Sequence, residues 1–103
     1  MAQSSIKVLQ FEDEPCIDIK GEFEQGTLDS LIKAFQKTVP KSRARLFLRL
    51  SDLAYLDSSA LGLIMYNMNE LAKQGAKLVL LDPSAEMRRI LRATSLDRIL
   101  EIR

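Results

Sequence analysis

The stretch AKLVLLD (76–82) constrains this chain more than any other. It is nearly all apolar, and it is far shorter than the roughly 20 residues that cross a membrane. A strand apolar on both sides is built for burial on both faces, and such strands belong mainly to parallel sheets, whose crossovers are helices. The sequence supplies a helix on either side. Upstream, Leu61, Ile64, Met68 and Leu71 form one stripe of an amphipathic pattern, and Gly75 stands where a helix C-terminus favours glycine. Downstream, Pro83 breaks the strand and Ser84 is placed to cap AEMRRILRAT (85–94). There Met87, Ile90 and Leu91 face inward, and Arg88, Arg89 and Arg92 face outward as a solvated face.

The rest of the chain fits the same plan. ARLFLRL (44–50) reads as a strand, with Leu46, Leu48 and Leu50 alternating against Phe47 and Arg49. TLDSLIKAFQKTV (27–39) carries Leu28, Leu31, Ile32, Phe35 and Val39 at helical spacing, with Thr27 as the expected N-cap and Pro40 as the stop. IKVLQF (6–11) and CIDIKG (16–21) flank the polar turn EDEP and read as a hairpin that Gly21 closes. RILEIR (98–103) is a weak final strand. The expected order is β-β-α-β-α-β-α-(β), with parallel pairing and right-handed crossovers after the hairpin. In such sheets, sites lie beyond the C-terminal ends of the strands.

Length and composition narrow the function. A chain of 103 residues suits one domain, 1–103, with a core that needs no staples. The net charge of +1 points neither to nucleic acid nor to an anionic membrane. There is no histidine, which removes Ser-His catalysis and imidazole metal ligands together. The single Cys16 rules out an intramolecular disulfide and thiolate zinc sites, and it fits a reducing compartment. No signal peptide is visible, so a cytoplasmic location is expected.

LDSS (56–59) falls where a strand hands over to a helix. Asp or Ser there is ordinarily a cap that accepts a free backbone N–H. Capping explains one residue, yet three polar residues stand together, and Gly62 follows inside the first turns at a cost of about 1 kcal/mol in helix propensity. A glycine there leaves the helix start bare, so another surface can approach. Phosphate on Ser58 would add about −1.5 to −2 charges, held in part by the free N–H groups and the macrodipole. Beside Asp57, and near Glu22 and Glu24 at the end of the second strand, it would create a dense negative patch. A partner covering that patch would bury charge without a counter-cation, which costs several kcal/mol.

LDSSALG (56–62), preceded by LFLRLSDLAY and followed by LVLLDPSAEMRRILRATSLDRIL, resembles the STAS domain of stand-alone bacterial anti-sigma factor antagonists. Their pattern is Asp-Ser-(Ser/Thr)-Gly-Leu-Gly at a helix start. IKGEFE (19–24) resembles the family's Gly-Glu-Leu-Asp segment, with Glu24 in place of the usual aspartate; Ala60 stands where glycine is commoner. The resemblance implies an α/β, STAS-like fold: a mixed four- to five-stranded sheet with an N-terminal hairpin and about three helices packed on one face. It implies a non-enzymatic partner switch without a cofactor. The unmodified protein binds an anti-sigma factor that is a serine kinase of the histidine-kinase-like ATPase type. That kinase phosphorylates Ser58, and a PP2C-type phosphatase reverses it. Asp57, Ser58, Ser59, Ala60, Leu61, Gly62, Leu63, Glu22 and Glu24 are the expected partner-binding residues. Leu63 is expected as an exposed contact, Tyr66 and Asn67 on other faces of the helix, and Met65 and Met68 in or beside the core.

Three other readings compete. FEDE with Asp57 mimics the acidic residues of a phospho-accepting receiver domain, but Pro15 and another strand follow where a receiver needs a helix. A serine hydrolase lacks both its Gly-x-Ser-x-Gly elbow and its histidine. A STAS subunit of a lipid-transport or transporter complex would keep the fold without the switch.

Overall fold

The computed structural model describes residues 5–21, 25–52 and 57–103. The hairpin forms first. β1 (Ser5–Phe11) pairs antiparallel with β2 (Glu14–Lys20) through seven successive residue pairs, from Ser5 with Lys20 to Phe11 with Glu14. Its turn is tighter than the expected EDEP. Only Glu12 and Asp13 lie in it, both at positive φ (52° and 64°), a backbone twist that matches the right-handed twist of the flanking strands. Gly21 (φ 87°) ends β2 as expected.

α1 (Gln25–Thr38) follows, then a short 3-10 turn at Val39–Lys41 with Pro40 inside it. Thr27 lies within α1 and is buried, so it is not the N-cap. β3 (Arg45–Asp52) pairs parallel with β2. α2 (Ser58–Lys73) ends on the pattern its glycine predicts: the N–H of Gly75 (φ 79°) donates to Ala72 O at 3.1 Å and that of Ala76 to Leu71 O at 2.9 Å, the paired bonds of a Schellman ending. β4 (Lys77–Leu81) pairs parallel with β3; α3 (Ala85–Ala93) and a second 3-10 turn lead to β5 (Glu101–Ile102), which pairs parallel with β4. The last strand is thus two residues long, because Leu96–Arg98 coil inward to bury Leu96. Strand order in the sheet is β1-β2-β3-β4-β5.

The two faces of the sheet are unequal. Ile17, Ile19, Leu46, Leu48, Leu50, Leu78 and Leu80 meet Leu31 and Phe35 of α1, Ile64 and Leu71 of α2, and Met87 and Leu91 of α3 in one apolar layer. On the opposite face the apolar cluster is small, Cys16, Phe47 and Val79 with the half-buried Leu81 against them, and the buried Asp18 lies on the same side of β2 as Cys16. No helix of the described residues covers this face. Phe11 stacks edge-on against Phe47 (4.8 Å between ring centroids), and the Arg103 guanidinium lies 5.6 Å over the same ring. β4 is therefore buried on both sides as its sequence demands, by helices on one face and by strand-borne side chains on the other. Burial pushes the Cys16 thiol up from its ordinary range; the nearby Asp18 charge adds to this and Arg49 opposes it. Among the described residues no helix is long and apolar enough to cross a membrane.

Candidate functional site

β2 and β3 run parallel, and the register that sets Lys20 beside Asp52 brings their C-terminal ends to the same edge of the sheet. α2 begins just beyond that edge. Asp57 has extended backbone (φ −84°, ψ 175°) and serves as the N-cap: its Oδ1 accepts the Ala60 N–H at 2.8 Å, and its carbonyl accepts the Leu61 N–H at 3.1 Å. One residue thus supplies both bonds that start the helix.

The consequence falls on Ser58. It occupies the first helical position and is exposed, as is Ser59. Among the described residues no hydrogen bond engages either hydroxyl. The first turn holds no acidic side chain, and the Asp57 carboxylate at the cap lies against the positive end of the helix dipole. Ser58 therefore presents its Oγ to solvent beside backbone N–H groups that have no intrahelical acceptor.

Gly62 is exposed one turn further along, and a Cβ built on it would meet nothing within 4 Å. Among the described residues no packing contact requires glycine there. The exposed surface continues along α2 through Met65 (38% exposed) and Tyr66 (61%). Tyr66 is held by its hydroxyl, which donates to Glu70 Oε1 at 3.2 Å. Lys73 hydrogen-bonds Glu70 at 2.8 Å and, with its charge, keeps that carboxyl below the usual range; the Tyr66 bond adds to this.

The site expectations divide on burial. Asp57, Ser58, Ser59 and Gly62 come together at one accessible point. Ala60 is fully buried in the helix-side core, so its side chain does not reach the surface. Leu61 and Leu63 are half-buried and lean on that core, so Leu63 is not the free exposed leucine its position suggested. Asn67, expected on another face, is buried (6% exposed), with its side-chain NH₂ donating to Leu63 O at 2.9 Å, while Met65, expected in or beside the core, is 38% exposed. The inward face is centred on Ala60, Ile64, Asn67 and Leu71 instead of Leu61, Ile64, Met68 and Leu71, a rotation of about half of one residue's ~100° step. Glu22 and Glu24 lie outside the described residues. The described residues contain no cluster of three or more Cys, Asp or Glu arranged to hold a metal ion.

Comparison with known proteins gives this geometry its setting. The family model for the STAS domain matches residues 5–103. A Thermotoga maritima protein assigned as an anti-sigma factor antagonist is 34% identical over 68 residues, which are 66% of this chain and 60% of that protein; the match thus spans well under two thirds of that relative's length. A STAS-domain protein of Pseudomonas aeruginosa is 29% identical over 89 residues, covering 86% of this chain and 87% of its own. Among solved structures, the phosphorylated form of the Bacillus cell fate determinant SpoIIAA superposes with a TM-score of 0.74 at 19% identity, covering 96% of this chain and 91% of that one, a likeness of fold. The family match runs over every described element, from the β1–β2 hairpin to β5. This chain belongs to the STAS domain family.

Proposed function

We propose that this chain is an anti-sigma factor antagonist that switches partners through phosphorylation of Ser58. The observation that carries this reading is the division of roles at the start of α2: Asp57 does the capping, which leaves the Ser58 hydroxyl exposed and unengaged. A kinase can reach it without unfolding anything. Phosphate there sits at the positive end of a 16-residue helix, so the fold tolerates it.

The same dianion acts on a partner in the opposite sense. A surface that docks over Ser58, Ser59 and the bare Gly62 would have to desolvate the phosphate and Asp57 together, at a cost of several kcal/mol. Each 1.4 kcal/mol is tenfold in affinity, so binding turns off. The partner this implies is an anti-sigma factor that is also a serine kinase of the histidine-kinase-like ATPase type, with a PP2C-type phosphatase for reversal, all acting in the cytoplasm. The relatives named anti-sigma factor antagonists support the assignment, and the chain itself has no catalytic role in it.

The test is incubation of the protein with anti-sigma factor kinases and ATP, followed by site mapping and binding measurements. Phosphate is expected on Ser58, with Ser58→Ala binding the kinase constitutively and Ser58→Asp not binding. Equal binding by all three forms would reject the switch and favour a non-switching STAS subunit of a transport complex.

A further inference from the structure

Among the described residues no strand pairs with the outer edge of β1. The sheet order places β1 at one end, and its Val8, Leu9 and Phe11 are exposed (47%, 43% and 40%). Its seven residues pair with β2 without a bulge, so alternate N–H and C=O groups point away from the sheet in an even row. Natural edges are usually blunted by prolines, bulges, short strands or charges that turn inward. β1 has no proline and no bulge, and its single charge is Lys7. β5, at the other end, is blunted by its two-residue length.

What lies beside the edge specifies what fits it. Two adjoining grooves of about 330 and 190 Å³ run between β1 and α1. One brings Ile6 and Val8 against Lys33, Ala34 and Lys37; the next brings Val8 and Gln10 against Lys37, Lys41 and Arg43. α1 therefore runs alongside β1 in the same direction, and its lysines track the strand. The spacings agree: one helical turn of four residues rises about 6 Å, and two strand residues span about 6.7 Å. Among the described residues Lys33, Lys37 and Lys41 form no ion pair. Two carboxylates lie at the far end of the row, Asp13 and Glu14, and Glu14 is already taken by the backbone N–H groups of Ala44 (3.0 Å) and Arg43 (3.4 Å).

We infer that the β1 edge takes an extended acidic segment of a partner protein as a sixth strand, with acidic side chains at alternate positions facing Lys33, Lys37 and Lys41 and apolar ones facing Leu9 and Phe11. Backbone bonds supply pairing, and the alternating side chains supply selection. A second copy of this chain is a poor occupant. Two-fold pairing of β1 with itself keeps both α1 helices on the same face and sets one lysine row against the other. This surface is separate from the start of α2 and does not depend on the switch at Ser58.

The probe is a capped heptapeptide of alternating glutamate and valine, titrated into the full chain and followed by amide chemical shifts and anisotropy. Saturable shifts on β1 and along residues 33–43 are expected. Lys33→Glu combined with Lys37→Glu should weaken binding by about tenfold or more, and Lys33→Gln with Lys37→Gln by less, with the thermal midpoint unchanged. Raising salt from about 0.05 to 0.5 M should weaken it severalfold. Ser58→Asp should bind the peptide as the unmodified chain does, so failure here is distinct from failure of the switch. The inference is overturned if a lysine–valine peptide binds as well, if the glutamate peptide does not bind, if the shifts centre on residues 57–66, or if the chain alone forms a dimer that the lysine substitutions strengthen.

Discussion

Two helices of this protein start in the same setting, just past the end of a parallel strand, and each has a serine at its threshold. At α3 the serine is the cap: the Ser84 hydroxyl accepts the Met87 N–H at 3.1 Å, and the residue is half-buried. At α2 an aspartate has taken that task, and the serine after it is free. The difference of one position in sequence separates a structural hydroxyl from an available one. A serine that caps is withheld from chemistry, because modifying it removes the acceptor that the helix uses. A serine at the first helical position behind an aspartate cap is exposed at no structural cost, and its surroundings favour an added anion.

The sharpest way to break this contrast is to charge each serine. Ser58→Asp should lower affinity for the anti-sigma partner by about a hundredfold or more relative to Ser58→Ala, from desolvation of unpaired charge. Ser84→Asp should leave that affinity unchanged, since aspartate caps as well as serine does. Next in size are the caps. Asp57→Ala and Ser84→Ala should each cost about 1 kcal/mol in denaturant unfolding. Only Asp57→Ala should also slow phosphorylation, because the Ser58 hydroxyl then stands in as the missing acceptor. Gly62→Ala should stabilise the fold by about 0.5–1 kcal/mol, given the open space around it, while weakening partner binding severalfold. An unchanged affinity would show that no partner surface approaches there. The smallest effects are expected for Ser58→Ala and Ser59→Ala, within about 0.5 kcal/mol in stability, as for surface positions without a structural bond.

Much of this was legible in the sequence because burial on a sheet and on a helix each leaves a period. The apolar run at 76–82, the Leu46-Leu48-Leu50 alternation and the α3 stripe all fall where the structure buries them. The Asp57-Ser58 juncture was legible too, as polar residues at a strand-to-helix passage. Three features were not. Thr27 has the chemistry of a cap, yet α1 starts at Gln25 and the Thr27 side chain is buried within the helix. The inward face of α2 is hidden from composition at Met65 and Asn67, because a methionine at the rim of the apolar stripe is exposed and an asparagine that bonds back to its own helix is buried. The lysine row along β1 is written in α1 at positions four apart, but its meaning depends on which strand lies beside it, and sequence alone does not give that neighbour.

The central claim is that phosphate on Ser58 changes what binds and leaves the fold intact. It is tested most directly by recording amide spectra, thermal unfolding and partner affinity on one preparation before and after stoichiometric phosphorylation. Shifts confined to the start of α2 and the adjacent strand ends, a midpoint within a few degrees of the unmodified protein, and loss of the complex are expected. Spectral changes throughout the sheet, or a complex that survives the modification at full strength, would contradict it.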